Sequence, residues 1–326
     1  MKIAMISTTF LTTPPAKSGG TERVVSILTE GLVKRGHEVT LFATGDSKTT
    51  AELDYLYPHP EWSWEKEAAH ARYAFSKAKK FEIVHNHSYL GLPLVQDSPV
   101  PTVTTIHSLS DSYRQYKDGL YICISNRQRF IFRDLKKVRV AYHGLEIEQF
   151  PFSPDCEDYL VWVGRFCPEK GVHHAIRVAK RLDMPLKLIG VVGDVFYYEQ
   201  EIKPHLGGKI EYLGEMDERK NEIVKKAKCF LMPILWEEPF GLVMVEAMAC
   251  GTPVISFNKG SAMELIHHGK TGFIVTSEEE MVEAVRQVGK IDRLMCRRHV
   301  VENFSADKMV AAHEQIYEDM LAGKFR

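Results

Sequence analysis

The chain has 326 residues, with 42 Lys and Arg against 43 Asp and Glu (formal net charge −1), 44% hydrophobic and 26% charged. This describes a globular protein long enough for two ordinary domains, with no global charge drawing it to nucleic acid or an anionic membrane. Six scattered cysteines without a Cys-x-x-Cys pair, a start too soon punctuated for a signal peptide and no spanning apolar run lead us to expect a cytoplasmic protein.

The first apolar run, KIAMIS (2–7), leads through the loop TTPPAKSGG (12–20) into an amphipathic stretch, TERVVSILTEGLVKRG (21–36). Gly19 and Gly20 would let backbone N–H groups approach an anion at a helix N-terminus, and a plain tight turn explains them equally well. The pattern is not GxGxxG, and no acidic residue closes the second strand, EVTLFA (38–43), so nicotinamide binding has little support. Further strand-like runs follow at EIVHNH (82–87), TVTTIH (102–107), YICIS (121–125) and VRVAYH (138–143). His85, His87 and His107 fall at or near strand ends, and no carboxylate or thiolate set completes a metal site around them. RQRFIFRDLKKVR (127–139) holds six basic residues against one acid, with Phe130, Ile131 and Phe132 among them. It reads either as a helix with a solvated basic face or as a surface docking on anionic lipid.

Two prolines interrupt the pattern at EQFPFSPDCED (148–158), and a second series begins. Its strands are YLVWVG (159–164), LKLIG (186–190), IEYLG (210–214), CFLMPIL (229–235) and PVISF (253–257). EKGVHHAIRVAKRL (169–182) and ERKNEIVKKAK (218–228) supply helices between them. The alternation predicts an α/β protein of two facing Rossmann-like domains, 1–150 and 151–304, each a parallel sheet flanked by helices. In such sheets ligands bind beyond the carboxyl ends of the strands, which places the expected site in the cleft between the domains.

Two segments carry the chemistry. In VWVGRFCPEKG (161–171), Arg165 follows a strand-ending glycine and Lys170 stands five positions later, a fork and a point charge suited to a diphosphate. In EEPFGLVMVEAMACGTPVIS (237–256), Glu238 and Glu246 flank seven residues, and Glu246 sits in an otherwise apolar helix where an unpartnered charge is costly. A ligand rich in hydroxyl groups is the simplest partner. Eight helical steps separate the pair by roughly 12 Å, too far to share one scissile bond but suited to the two ends of an elongated ligand.

Together SGGTERVV, VGRFCPEKG, IEYLG, HGLEIEQF (143–150) and EEPFGLVMVEAMACGTPVI resemble the retaining GT-B glycosyltransferases of family 4 over nearly the whole chain. The resemblance implies a nucleotide-sugar site on the second domain. Glu238 would contact the donor sugar hydroxyls, Glu246 would hold the ribose, and Arg165 and Lys170 would neutralise the diphosphate. Phe240, Gly241 and Leu242 would line the site, the last two through backbone N–H groups, and the base would lie near Tyr212 to Met216. From the first domain, Gly19 and Gly20 would meet diphosphate or acceptor, His107 would face the transferred sugar on domain closure, and His87 or His85 would touch the acceptor. The terminal helix, roughly 305–321, would cross back so that 305–326 joins the first domain.

The implied reaction is transfer of a hexosyl group, with retention, from a nucleotide diphosphate sugar to a sugar, polyol or lipid-linked glycan. A UDP-sugar is favoured for its frequency among relatives, with GDP-mannose an alternative, and no metal or cofactor is expected. A nucleotide-sugar hydrolase or epimerase, or a non-catalytic sugar-binding protein, are the competing functions. Two features depart from the family pattern. Little chain lies between 46 and 80 for acceptor loops, and Glu237 stands beside Glu238, the seven-residue spacing selecting Glu238.

Overall fold

The apolar and β-branched runs form two all-parallel sheets in the computed structural model, which describes residues 1–325. They belong to two units, Met1–Leu145 with the segment from Ser305 onward, and Glu146–Phe304. The chain is thus an α/β protein of two Rossmann-like units. The proline-containing stretch 148–158 lies inside the second unit.

The first unit runs β1 (Lys2–Ile6), α1 (Gly20–Lys34), β2 (Glu38–Phe42), β3 (Glu52–Asp54) and α2 (Trp64–Ser76). It continues with β4 (Ile83–Asn86), α3 (Leu92–Val95), β5 (Thr102–Ile106), β6 (Leu120–Cys123), α4 (Asn126–Ile131) and β7 (Lys137–Val140). Strand order is β3-β2-β1-β4-β5-β6-β7. Ile3 to Ile6 are fully buried, as expected of a parallel strand covered on both faces. The order reverses between β1 and β4, which opens a ligand crevice at their carboxyl ends.

β3 and α2 occupy the stretch where the sequence showed no elements. β3 is a three-residue edge strand, ELD, too polar to register as an apolar run. The basic stretch 127–139 is not one helix. After α4 the chain buries Phe132 and Leu135 against Tyr113, Tyr121 and Val138, and enters β7.

In the second unit β8 (Leu160–Val163), α5 (Val172–Leu182), β9 (Leu186–Ile189), α6 (Val195–Tyr197) and β10 (Ile210–Tyr212) come first. Next are α7 (Lys220–Val224), β11 (Cys229–Met232), α8 (Leu242–Ala249) and β12 (Val254–Phe257). α9 (Ala262–Leu265), β13 (Gly272–Val275), α10 (Glu278–Gln287) and α11 (Arg293–Asn303) complete it. The sheet order β10-β9-β8-β11-β12-β13 reverses between β8 and β11, so the loops after these two strands share the mouth of a second crevice.

The last helix, α12 (Ala306–Leu321), belongs to the first unit. Its entry is tied by the Ala306 N–H to the Leu145 carbonyl at 2.8 Å. Gly31 on α1 faces Val310, and a Cβ there would fall 2.4 Å from Val310 Cγ2, so only glycine permits this approach. Glu314 binds both Arg35 and His37 at 2.8 Å.

Candidate active site

The mouth of the second sheet is assembled by the loops after β8 and β11. A one-turn 3-10 segment, Pro168–Lys170, presents Lys170, and Gly171 closes it at φ +68 before α5 begins. The Leu235 N–H donates to the Glu169 carbonyl at 2.9 Å and locks the two loops together. Lys170 Nζ pairs with Glu238 Oε2, the indole N–H of Trp236 donates to the same oxygen at 3.0 Å, and Lys170 Nζ lies 5.0 Å from the Trp236 ring centroid. Both side chains are largely buried, at 17% and 12% exposed. Glu237 is turned elsewhere, its Oε2 accepting the Gly260 N–H at 3.1 Å.

Glu246 lies on α8, its residue 8% exposed between buried Val245 and Ala247. The counter-cation is within the protein: Lys220 Nζ sits 2.8 Å from Glu246 Oε2. Lys220 was not found from the sequence, where it is one of several lysines in a polar helix 26 positions upstream (246 − 220). Glu238 and Glu246 thus share one arrangement. In each, Oε2 is held by a lysine, while Oε1 carries no protein hydrogen bond among the described residues.

The remaining expected donor residues are spread around this centre. Gly241 caps α8 at φ +87, and a Cβ there would lie 3.3 Å from Glu238 Cγ, which puts Glu238 beside the start of the helix at Leu242. Phe240 is 2% exposed, its ring edge-on to Phe304 and its carbonyl accepting from the Ser261 hydroxyl. Arg165 is open, its side chain 59% exposed and 3.8 Å from Glu169. Tyr212 packs on Phe166 and donates to the Gly190 carbonyl at 2.8 Å, while Met216 is half-buried in the loop after β10.

Gly171 is where backbone conformation decides the site. A Cβ there would fall 1.8 Å from the Pro233 carbonyl oxygen, in a left-handed conformation that already disfavours L-residues. Gly171→Ala is therefore expected to cost about 3 kcal/mol through strain plus displacement of the Pro233 backbone. Urea denaturation checks this, and a loss below about 1 kcal/mol would show that the turn adapts.

In the first unit, Gly19 and Gly20 open α1 after the loop following β1. Thr8 donates to the buried carboxylate of Glu22, and Glu67 accepts from Thr9 (N–H at 2.8 Å, hydroxyl at 2.7 Å) and from Ser88. These acids, missed in the sequence because they lie inside amphipathic helices, pin the loops after β1 and β4. His107, half-buried at the end of β5, bonds through Nε2 to His87 Nδ1 at 2.9 Å. His87 is 4% exposed and packs on His85, the two rings tilted by 40° with centroids 4.0 Å apart. His85 is wholly buried, bonding the Tyr317 hydroxyl on α12 at 2.6 Å and Thr105 at 2.7 Å. Burial, reinforced by His313, lowers His107 to about 3, so its ring is neutral at ordinary pH.

Two family models match the chain: glycosyl transferases group 1 over residues 146–304, and glycosyltransferase family 4 over 18–149. The chain belongs to the GT-B glycosyltransferases of this family. It is 27% identical to an uncharacterised glycosyltransferase of Methanocaldococcus jannaschii over 84% of this chain and 85% of that one. The fold is shared with sucrose-phosphate synthase from Thermosynechococcus elongatus (TM-score 0.82, 21% identity, 99% and 100% of the two chains). An Anabaena protein crystallised with UDP-glucose has it too (TM-score 0.76, 20% identity, 99% and 100%).

Proposed function

We propose that this glycosyltransferase moves a hexosyl group from a nucleotide diphosphate sugar, a UDP-sugar in the first instance, to a hydroxyl acceptor with retention at the anomeric carbon. The observation that carries this is the pair of lysine-held glutamates, each with one oxygen open, around the start of α8. A carboxylate oxygen fixed beside a cation is a strong acceptor for hydroxyl groups and contributes little to binding an apolar ligand.

On this reading the open oxygen of Glu238 accepts donor-sugar hydroxyls and that of Glu246 accepts the ribose. The bond from the anomeric carbon to the diphosphate breaks, and the acceptor oxygen bonds that carbon on the same face. The acceptor proton passes to the departing diphosphate. Lys170, Arg165 and the N–H groups of Gly241 and Leu242 oppose the charge growing on that diphosphate. Neutral His107 serves as a hydrogen-bonding group toward the sugar, and the loop at Gly19 and Gly20 meets diphosphate or acceptor. Neither a metal nor a cofactor enters the scheme.

Incubation with UDP-, GDP- and ADP-sugars, with and without sugar and polyol acceptors, tests the proposal. Donor consumption that requires an acceptor is expected. Consumption without acceptor would make the protein a hydrolase or epimerase, binding without consumption a sugar-binding protein, and no binding would end the proposal.

The basic stretch bears on the partner. Arg129, Arg133, Lys136 and Arg139 line a cavity of about 540 Å³ beside Phe130, which is 57% exposed and carries Arg127 and Arg133 over its ring at 5.4 and 4.9 Å. We include contact of this face with an anionic lipid surface, consistent with a lipid-linked acceptor. No helix among the described residues is long and apolar enough to cross a membrane. Sedimentation should show binding to vesicles containing phosphatidylglycerol but not to pure phosphatidylcholine, lost in Arg129→Ala/Arg133→Ala; equal behaviour of the two vesicles would remove membrane contact.

A further inference from the structure

Lys220 belongs to no motif, yet the helix that carries it is fastened in place. This lysine is the first residue of α7, and three side chains bind successive carbonyls at the far end of that helix. The Tyr159 hydroxyl donates to Ile223 at 2.6 Å, the Thr252 hydroxyl to Val224 at 2.6 Å, and the Arg293 guanidinium to Lys225 at 2.5 Å. Arg293 also donates to Thr252 Oγ1 at 3.0 Å. Thr252 stands three residues beyond α8, and its own N–H donates to the Ala247 carbonyl at 2.9 Å. The helix bearing Lys220 and the helix bearing Glu246 are therefore fastened through one threonine, and the ion pair closes the opposite end of the same junction. The Lys220 and Glu246 side chains are 23% and 11% exposed, so the pair is shielded from solvent screening.

We propose that Lys220 is a positioning residue for the nucleotide ribose, and that through Glu246 it sets the preference for ribonucleotides over deoxyribonucleotides. The inference rests on the reading that Glu246 faces the ribose. Lys220 takes Oε2 and leaves Oε1 to accept ribose hydroxyls. Without the ammonium, the carboxylate is either an uncompensated charge in an apolar helix or a neutral acid with less capacity to accept. Either way the reward for a 2′-hydroxyl shrinks, while contacts to base and diphosphate are unchanged.

The test is calorimetric titration of UDP, GDP and ADP, each against its 2′-deoxy analogue, into the full chain. The wild type should favour the ribose form of its cognate nucleotide by about 10-fold or more, the value of a hydrogen bond to a charged acceptor. Lys220→Met should bring that ratio close to one by weakening only the ribose form, and Lys220→Arg should restore most of it. Lys220→Gln keeps a neutral donor beside Glu246, and it reads the same loss in smaller degree should the Met variant not fold. Equal weakening of both forms, or an unchanged ratio in a folded variant, overturns the inference. If Glu246→Gln abolishes the preference and Lys220→Met and Lys220→Gln leave it intact, Lys220 alone is excluded and the ribose reading stands. A wild type that binds none of the nucleotides refutes the ribose reading itself.

Discussion

Lys170→Ala is expected to lower kcat by about 10²–10³-fold, the loss typical of removing one preorganised group that faces developing charge. The nucleotide Kd should change by less than about tenfold, because a cation aimed at the leaving diphosphate gains most as the bond breaks. The geometry supports a group held ready: Lys170 is 17% exposed, bound to Glu238, close over the Trp236 ring, and mounted on a turn that Gly171 alone can close. Lys170→Arg should not restore full activity, since a planar fork does not reproduce a compact ammonium at one carboxylate oxygen. The variant also strands the Glu238 charge, so Glu238→Ala and the double variant complete a cycle that isolates the interaction. Steady-state rates with calorimetric Kd values decide it. Raised Kd with unchanged kcat would make Lys170 a ground-state binding residue.

The first unit is expected to lose stability steeply as pH falls from 6.5 toward 4. His85, His87, His143 and His313 are each no more than 4% exposed, and burial lowers all four, His313 to about 4 and the others well below the ordinary value. A histidine depressed in the folded state binds fewer protons there than when unfolded. Stability therefore rises with pH between the folded value and about 6.5, and is lost on acidification through that window. Each such group contributes about 1.4 kcal/mol per pH unit, so four together approach about 5 kcal/mol per unit, comparable with the whole stability of a domain. The bond to His37, opposed by burial and aided by Arg35, holds the Glu314 carboxyl below its usual range, which adds a loss in the same direction at lower pH. Urea titrations should show the midpoint nearly constant from pH 7.5 to about 6.5 and falling steadily from there to pH 5. A profile that stays flat down to pH 5 would show that these histidines bind protons alike in the folded and unfolded states.

The alternation of apolar runs with amphipathic stretches was enough to specify two parallel sheets, because fully buried parallel strands need continuous apolar segments such as Ile3 to Ile6. It was blind where burial is partial. β3, an edge strand of three residues, has no such run, and the basic stretch 127–139 looked like one element until Phe132 and Leu135 turned it into the core. The lysine near Glu238 lies in a motif, five positions after the strand-ending Arg165, so it was legible. Lys220 was not, since nothing local distinguishes a lysine that reaches across to Glu246 from one that is solvated.

What the sequence by itself determined is the fold class and the family, because periodicity and motif spacing are local properties of the chain. Only the tertiary structure decided which groups meet: that Glu238 rather than Glu237 takes Lys170, that Glu246 already has a cation, and that His87 bonds His107. Those outcomes depend on long-range packing of loops beyond β8 and β11 and of side chains behind β5, where an ångström separates an ion pair from two solvated charges.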